Sequence, residues 1–147
     1  MRNILLIIIL VIFTIIAFAY FQKPSPAPAL PAPSQLEETS DSQYLPYSPE
    51  TFTSRSASRR VLFFYANWCP TCRPIDNELR QNEAQIPADV IVYRVNYNDT
   101  DTDQTDKELA AKYNITYQHT FVQVDQNGNA LATWNGGGLS QLIANLK

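Results

Sequence analysis

The segment from Val61 to Arg73 constrains the fold most, because a run of apolar residues leads directly toward the only two cysteines of the chain. The run Val61-Leu-Phe-Phe-Tyr65 has the length of a strand and no polar alternation, which is typical of a central strand covered on both faces. Cys69 and Cys72 follow with two residues between them, where we expect a helix to begin. The pattern predicts a dithiol at a strand-to-helix junction.

This placement gives the two sulfurs different roles. The N-terminus of a helix carries unpaired N–H groups and partial positive charge, so a thiol at that end is stabilised as thiolate. We therefore expect Cys69 to be an exposed attacking thiol and Cys72, about one turn into the helix, to be a shielded resolving thiol. We interpret the pair as a redox-active disulfide, Cys69–Cys72, that requires no other cofactor.

Two other uses of the cysteine pair are less favoured. A structural disulfide across so short a loop would remove little entropy from the unfolded chain. A structural zinc site normally needs four ligands, and the chain has only one histidine besides the two cysteines.

Around the cysteines the chain resembles the thioredoxin superfamily. The resemblance rests on the strand 61–66, the motif Trp68-Cys-Pro-Thr-Cys72, and Tyr113-Asn-Ile115 leading into the strand 119–125. It implies a thioredoxin-like α/β fold, in which helices flank a central mixed sheet of four to five strands. It also implies a thiol–disulfide oxidoreductase in which Cys69 attacks and Cys72 resolves. The residues expected to contact the substrate are Trp68, Pro70, Thr71 and Gln118, the last through its backbone.

Local patterns predict the remaining elements. Apolar spacing and capping residues indicate helices over 48–58, 72–85, 106–113 and 139–146. Apolar and β-branched runs indicate strands over 61–65, 90–95, 121–124 and 130–134, and Asn127-Gly128 predicts that a hairpin joins the last two. After the first helix the order is βαβαββα, in which the strand–helix–strand unit should pair its strands in parallel.

The N-terminal residues indicate where the domain lies. Residues 4–21 are almost entirely apolar, and as a helix they would be about 27 Å long, which nearly spans a bilayer. Arg2 favours a cytoplasmic N-terminus, whereas Ala17-Phe-Ala19 fits the cleavage pattern of a signal peptide. We expect residues 1–22 to be an uncleaved signal anchor or a signal peptide. The protein would be a single-pass cell-membrane protein with an extracytoplasmic C-terminal domain, or secreted if residues 1–19 are cleaved.

Two further segments follow the apolar residues. Residues 23–48 are rich in Pro, Ala and Ser, which predicts an extended, semi-rigid linker, and residues 49–147 form one thioredoxin-like domain. The net charge of −3 and the lack of a lysine-arginine cluster provide no basic face for nucleic acid.

His119 departs from the pattern of the family. Alignment of the stretch from Tyr113 to Phe121 places this only histidine where the family has a cis-proline, so we expect the Gln118–His119 peptide to be trans or else strained. The histidine has three interpretations. It packs in the loop, it tunes the Cys69 thiolate or relays its proton, or it joins Cys69 and Cys72 in an open site for a soft metal.

Two more positions bear on the chemistry. Phe63 aligns with the buried acid of thioredoxins, so deprotonation of Cys72 would have to rely on water, His119 or the substrate. The series Asp99-x-Asp101-x-Asp103 is similar to the start of a calcium loop, but glycine and glutamate are missing at the positions where that loop requires them. We interpret the aspartate series as a solvated loop and a helix cap.

The cysteine pair, its setting and the N-terminal segments together predict a membrane-tethered, extracytoplasmic thiol–disulfide oxidoreductase that acts on cysteines of exported proteins. A dithiol needs an outside source or sink of electrons, which implies a membrane redox partner. The direction of electron flow stays open. The alternative is a copper or other soft-metal metallochaperone that uses Cys69, Cys72 and His119.

Overall fold

The computed structural model describes residues 42–57 and 59–147. The expected anchor or signal peptide of residues 1–22 and most of the expected linker lie outside the described residues. None of the helices within these two ranges combines the length and the apolar character that a bilayer crossing requires.

Five strands and four helices make up the described part. In chain order they are β1 (Tyr44–Pro46), α1 (Pro49–Ser54), β2 (Arg59–Tyr65), α2 (Cys72–Gln81), β3 (Val90–Asn96), α3 (Gln104–Lys112), β4 (Thr120–Val124), β5 (Ala130–Asn135) and α4 (Leu139–Asn145). The predicted order βαβαββα is confirmed from β2 onward. The helix expected to continue to Gln85 ends at Gln81, and a short 3₁₀ helix, Glu83–Gln85, follows it.

The strands form one mixed sheet in the order β1-β3-β2-β4-β5. β3 runs parallel to β1 and β2, whereas β4 is antiparallel to both β2 and β5. The apolar strand β2 therefore lies at the centre, as its composition predicts. This arrangement confirms the expected thioredoxin-like sheet.

The sheet has a core on each face because successive residues of β2 point to opposite sides. Val61 and Phe63 pack with buried residues of α2 and α4, and Leu62 and Phe64 pack with residues of α1 and α3. These four side chains are fully buried. Each contributes about 1.5–3 kcal/mol of transfer free energy, which fixes β2 and hence the start of α2.

Strand β1 lies in the segment that the sequence assigns to the linker, so the linker boundary at residue 48 is wrong. Tyr44 and Leu45 are buried, and Tyr44 pairs with Val92 of β3. Three residues are too few to show a period, and Pro46 argues against a strand except at a sheet edge. Pairing with a distant strand, rather than a local pattern, makes these residues part of the fold.

The aspartate series is a loop and a cap, as expected. Asp99 accepts hydrogen bonds from the backbone N–H groups of Asn67 and Asp101, at 2.8 and 2.9 Å. Asp103 caps α3 by accepting from the N–H of Asp106 at 2.8 Å.

Candidate active site

The turn between β2 and α2 places both cysteines above the centre of the sheet. The N–H of Cys69 donates to the carbonyl of Ala66 at 3.1 Å, which closes the turn after the strand. The helix begins at Cys72 itself, so the prediction that Cys72 lies one turn into the helix is wrong. The carbonyl of Cys69 accepts the hydrogen bond of the Arg73 N–H at 3.3 Å, which places Cys69 immediately before the first turn.

Two hydrogen bonds reach the sulfur of Cys69. The backbone N–H of Cys72 donates to Sγ at 3.2 Å, and Oγ1 of Thr71 lies 3.3 Å from the same sulfur. Burial by itself would raise the pKa of Cys69, but the hydrogen bonds from Cys72 and Thr71 outweigh it and lower this pKa below its ordinary value. The predicted attacking thiol is therefore the more acidic one.

Cys69 is more shielded than the sequence predicts. It exposes 1% of its surface and Cys72 exposes none, so the expectation of an exposed sulfur at residue 69 is wrong. The residues around Cys69 are solvent-exposed instead. Trp68 is 52% exposed and is held by a 2.9 Å hydrogen bond from Nε1 to the carbonyl of Asn98. Pro70 and Thr71 are also exposed.

Cys72 is strongly disfavoured as a thiolate. Burial, followed by the hydrogen bond with Cys69, raises its pKa to about 12. Phe63, at the position of the expected family acid, is fully buried and stacks on Phe121 with 4.4 Å between the ring centroids. The apolar packing around Phe63 thus provides no proton acceptor at that position.

A buried carboxylate lies elsewhere on α2. Asp76 is 7% exposed and accepts a 2.6 Å hydrogen bond from the hydroxyl of Tyr44. Arg80 and Arg94 lie 3.2 and 3.6 Å from its carboxylate oxygens. The four-residue spacing from Cys72 could have indicated that Asp76 shares the buried face.

His119 lies beside the dithiol. The described residues contain no cis peptide bond, so the Gln118–His119 peptide is trans, and the strain appears instead as a φ of +61° at His119. Because position 119 is not proline it keeps an N–H, which donates to the carbonyl of Phe64 at 2.7 Å. The imidazole Nδ1 lies 3.2 Å from Oγ1 of Thr71, and Nε2 lies 3.0 Å from the carbonyl oxygen of Gly137.

The end of β5 holds this strained loop, a contribution that the sequence analysis missed. The side chain of Asn135 donates to the carbonyl of Gln118 at 3.1 Å and to the hydroxyl of Thr120 at 2.9 Å. The N–H of Gly136 donates to the carbonyl of His119 at 2.8 Å. Gln118, expected to offer its backbone to the substrate, is thus already engaged through its carbonyl. The glycines at 136–138 were the only sequence signal for this turn.

The proposed three-ligand metal site gains no support from the geometry. Across residues 42–57 and 59–147, no three His, Cys, Asp or Glu side chains are grouped so that they could hold a metal ion. Both ring nitrogens of His119 already have partners, Thr71 and Gly137, rather than the two sulfurs.

The arrangement is suited to dithiol exchange. The thiol of lowered pKa, Cys69, lies immediately before α2, and the thiol of raised pKa, Cys72, is the first residue of that helix. The first can attack a disulfide, and the second stays protonated until a mixed disulfide forms.

Comparison with known proteins agrees with this fold. A family model described as a thioredoxin-like domain matches residues 49–142. The crystal structure of Trxlp from Edwardsiella tarda is 26% identical, with a TM-score of 0.53 over 69% of this chain and 94% of that chain. Thioredoxin f2 of Chlamydomonas reinhardtii is 28% identical, with a TM-score of 0.50 over 64% of this chain and 81% of that chain.

The reduced thioredoxin pre-protein of Schistosoma mansoni shares the fold, with 20% identity and a TM-score of 0.53 over 70% of this chain and 94% of that chain. The fold is one that supports thiol–disulfide exchange in general. Because the family model covers well over half of the chain, the chain belongs to the thioredoxin-like domain family.

Proposed function

We propose that the protein is an extracytoplasmic, membrane-tethered thiol–disulfide oxidoreductase that acts on cysteines of exported proteins. The observation that supports the chemistry best is the opposite displacement of the two thiol pKa values within one helical turn. A nucleophile must ionise readily, whereas a resolving thiol must stay protonated until it is needed.

The exchange proceeds in two balanced steps. The Cys69 thiolate attacks one sulfur of a substrate disulfide, which forms a mixed disulfide and releases the other substrate sulfur as thiolate. Cys72 then gives its proton to the substrate thiolate released in the first step and attacks Sγ of Cys69, which closes the Cys69–Cys72 disulfide and releases the second substrate sulfur as thiolate. The substrate gains two electrons, and the same steps in reverse oxidise a substrate dithiol.

The cellular setting is supported by the sequence. The apolar residues 4–21 and the Pro-rich residues after them are typical of an anchor and a spacer, which would place the dithiol outside the cytoplasm. A membrane redox partner that itself carries a cysteine pair would restore the starting form of the dithiol after each turnover. Trp68, Pro70, Thr71 and the Gln118 backbone would form the surface that meets the substrate.

A trapping experiment tests this function. The Cys72→Ser variant should accumulate mixed disulfides with exported proteins in living cells, because it can attack but cannot resolve. The Cys69→Ser variant, which keeps the other thiol, is the matched control and should trap none. Absence of trapped partners in Cys72→Ser, together with a wild-type pair that never cycles between dithiol and disulfide, would contradict the proposal.

Two measurements on the purified chain complete the test. Insulin reduction measures exchange directly, and the reduction potential distinguishes a disulfide donor from a reductant. Metal analysis of the same preparation addresses the metallochaperone alternative. Stoichiometric copper without exchange activity would favour that alternative.

A further inference from the structure

Thr71 is placed in an unusual way for the residue that precedes a helix. It is the N-cap residue of α2, yet its hydroxyl makes no capping hydrogen bond to the helix. A threonine at this position usually accepts from a free N–H of the first turn. Its Oγ1 lies instead 3.3 Å from Sγ of Cys69 and 3.2 Å from Nδ1 of His119. One hydroxyl therefore links the nucleophile to the only histidine of the chain.

The other ring nitrogen of His119 sets the direction of this chain of hydrogen bonds. Nε2 lies 3.0 Å from the carbonyl oxygen of Gly137, which can only accept, so Nε2 carries a proton. In the neutral ring Nδ1 is therefore an acceptor. The hydroxyl of Thr71 donates to Nδ1, and its oxygen is free to accept from the thiol of Cys69.

A left-handed backbone conformation is required for this contact. His119 has a φ of +61°, which costs free energy for any residue other than glycine. The N–H of His119 is held by Phe64, and its carbonyl is held by Gly136. The loop thus holds a strained conformation that directs the ring toward Thr71 and Gly137. The helix lacks a capping hydrogen bond from Thr71, and His119 keeps a strained backbone. Each feature costs free energy, and both are needed for the hydrogen bonds that link Cys69, Thr71 and His119.

We propose that Thr71 relays a proton between Cys69 and His119, so that the attacking thiolate forms as an ion pair with the imidazolium. The thiol proton of Cys69 passes to Oγ1 of Thr71 while the hydroxyl proton of Thr71 passes to Nδ1 of His119. No proton is gained or lost in this step. Afterwards the ring donates to Thr71, and Thr71 donates to the thiolate. This inference rests on the proposed thiol chemistry and assigns Thr71 a catalytic role, because its hydroxyl contacts the reacting sulfur and carries the proton.

Among the described residues, few other charged groups lie near the hydrogen bonds that link Cys69, Thr71 and His119. On the α2 side Cys69 and Cys72 are the titratable neighbours, and Arg73 is exposed. Strands β2 and β4 present phenylalanine rings to the imidazole. The turn at 136–138 contains only glycine, and Glu78 contacts the N-terminus of α4 just beyond it at 3.3 Å.

The test follows Cys69 alkylation by iodoacetamide against pH in the reduced full chain, purified in detergent, with mass spectrometry to assign the modified cysteine. Thr71→Val removes the hydroxyl and keeps the shape, and we expect alkylation of Cys69 at pH 7 to fall about tenfold, since a hydrogen bond to a charged group is lost. Thr71→Ser, the matched control, restores the hydroxyl and should restore the wild-type profile.

The single histidine provides a second readout that a merely structural role of Thr71 would not change. Alkylation of Cys69 should change the imidazole NMR shifts of His119 in the wild type at pH 7, and Thr71→Val should remove this coupling. Thr71→Ala serves in its place if Thr71→Val does not fold. Unchanged alkylation and coupling in the folded variant, or failure of Thr71→Ser to restore them, would overturn the relay. Alkylation needs no substrate disulfide, so the relay can fail while mixed-disulfide trapping succeeds.

Discussion

The backbone N–H of Cys72 donates a 3.2 Å hydrogen bond to Sγ of Cys69. Together with the side-chain contacts of Cys72 and Thr71, this bond stabilises the thiolate of Cys69 and lowers its pKa against the effect of burial. Burial, followed by the side-chain contact with Cys69, raises the pKa of Cys72. The asymmetry between attacking and resolving sulfur is therefore set within a single turn of chain.

The first prediction concerns the order of alkylation. In the reduced protein at pH 7, iodoacetamide should modify Cys69 and leave Cys72 intact, because the pKa of Cys69 is lowered and that of Cys72 is raised to about 12. Peptide mapping by mass spectrometry measures both sites, and unfolding in denaturant is the control in which the two should react alike. Equal reaction in the folded protein would contradict the assignment.

The second prediction concerns stability at high pH. The folded pKa of Cys72, about 12, lies above the unfolded value of about 8.5, so the folded state keeps a proton that the unfolded state loses. The stabilising contribution is full below pH 8.5 and is lost as the pH rises toward 12. The reduced wild type should lose up to about 1.4 kcal/mol per pH unit in this window relative to Cys72→Ala. If the free energy of unfolding changed with pH equally in the two proteins across pH 9–11, the prediction would be refuted.

The third prediction separates the backbone of His119 from its ring. Glycine tolerates the φ of +61° found at this position, so His119→Gly should change the free energy of unfolding by about 1 kcal/mol or less. Proline cannot adopt that φ and lacks the N–H that donates to Phe64, so His119→Pro should cost about 2 kcal/mol or more. Urea denaturation measures both. If the proline variant were as stable as the glycine variant, the trans, left-handed geometry would be wrong.

The fourth prediction concerns the buried carboxylate on α2. Asp76→Asn should destabilise the fold by about 3 kcal/mol, because it leaves the buried Tyr44 and the partly buried Arg94 without their charged partner. Arg80→Ala is the control, since the Arg80 side chain is 47% exposed and its ion pair should contribute about 1 kcal/mol or less. Thermal and urea unfolding measure the two losses. Similar losses would show that Asp76 is a surface residue in solution.

Local patterns predicted most of the elements because each depends on residues close in sequence. The apolar residues of β2, the caps of α1 and α3, and the hairpin at Asn127-Gly128 all recur in the structure. The hairpin turn is longer than the dipeptide indicates, since β4 ends at Val124 and β5 begins at Ala130. β1 was missed because it is three residues long and exists only by pairing with β3.

The candidate site likewise has features that the local sequence predicts and features that depend on tertiary contacts. The sequence by itself determined the fold family, the central strand and the identity and order of the two sulfurs, because strand, turn and helix start are adjacent in the chain. Only the tertiary structure decided that Cys69 is buried and that Thr71 meets His119. Antiparallel pairing of Phe64 with Thr120 brings the start of β4 beside the end of β2, and with it a histidine 48 residues away from Thr71. Because this contact depends on how two distant strands pair, no local sequence pattern around Thr71 or His119 could have predicted it.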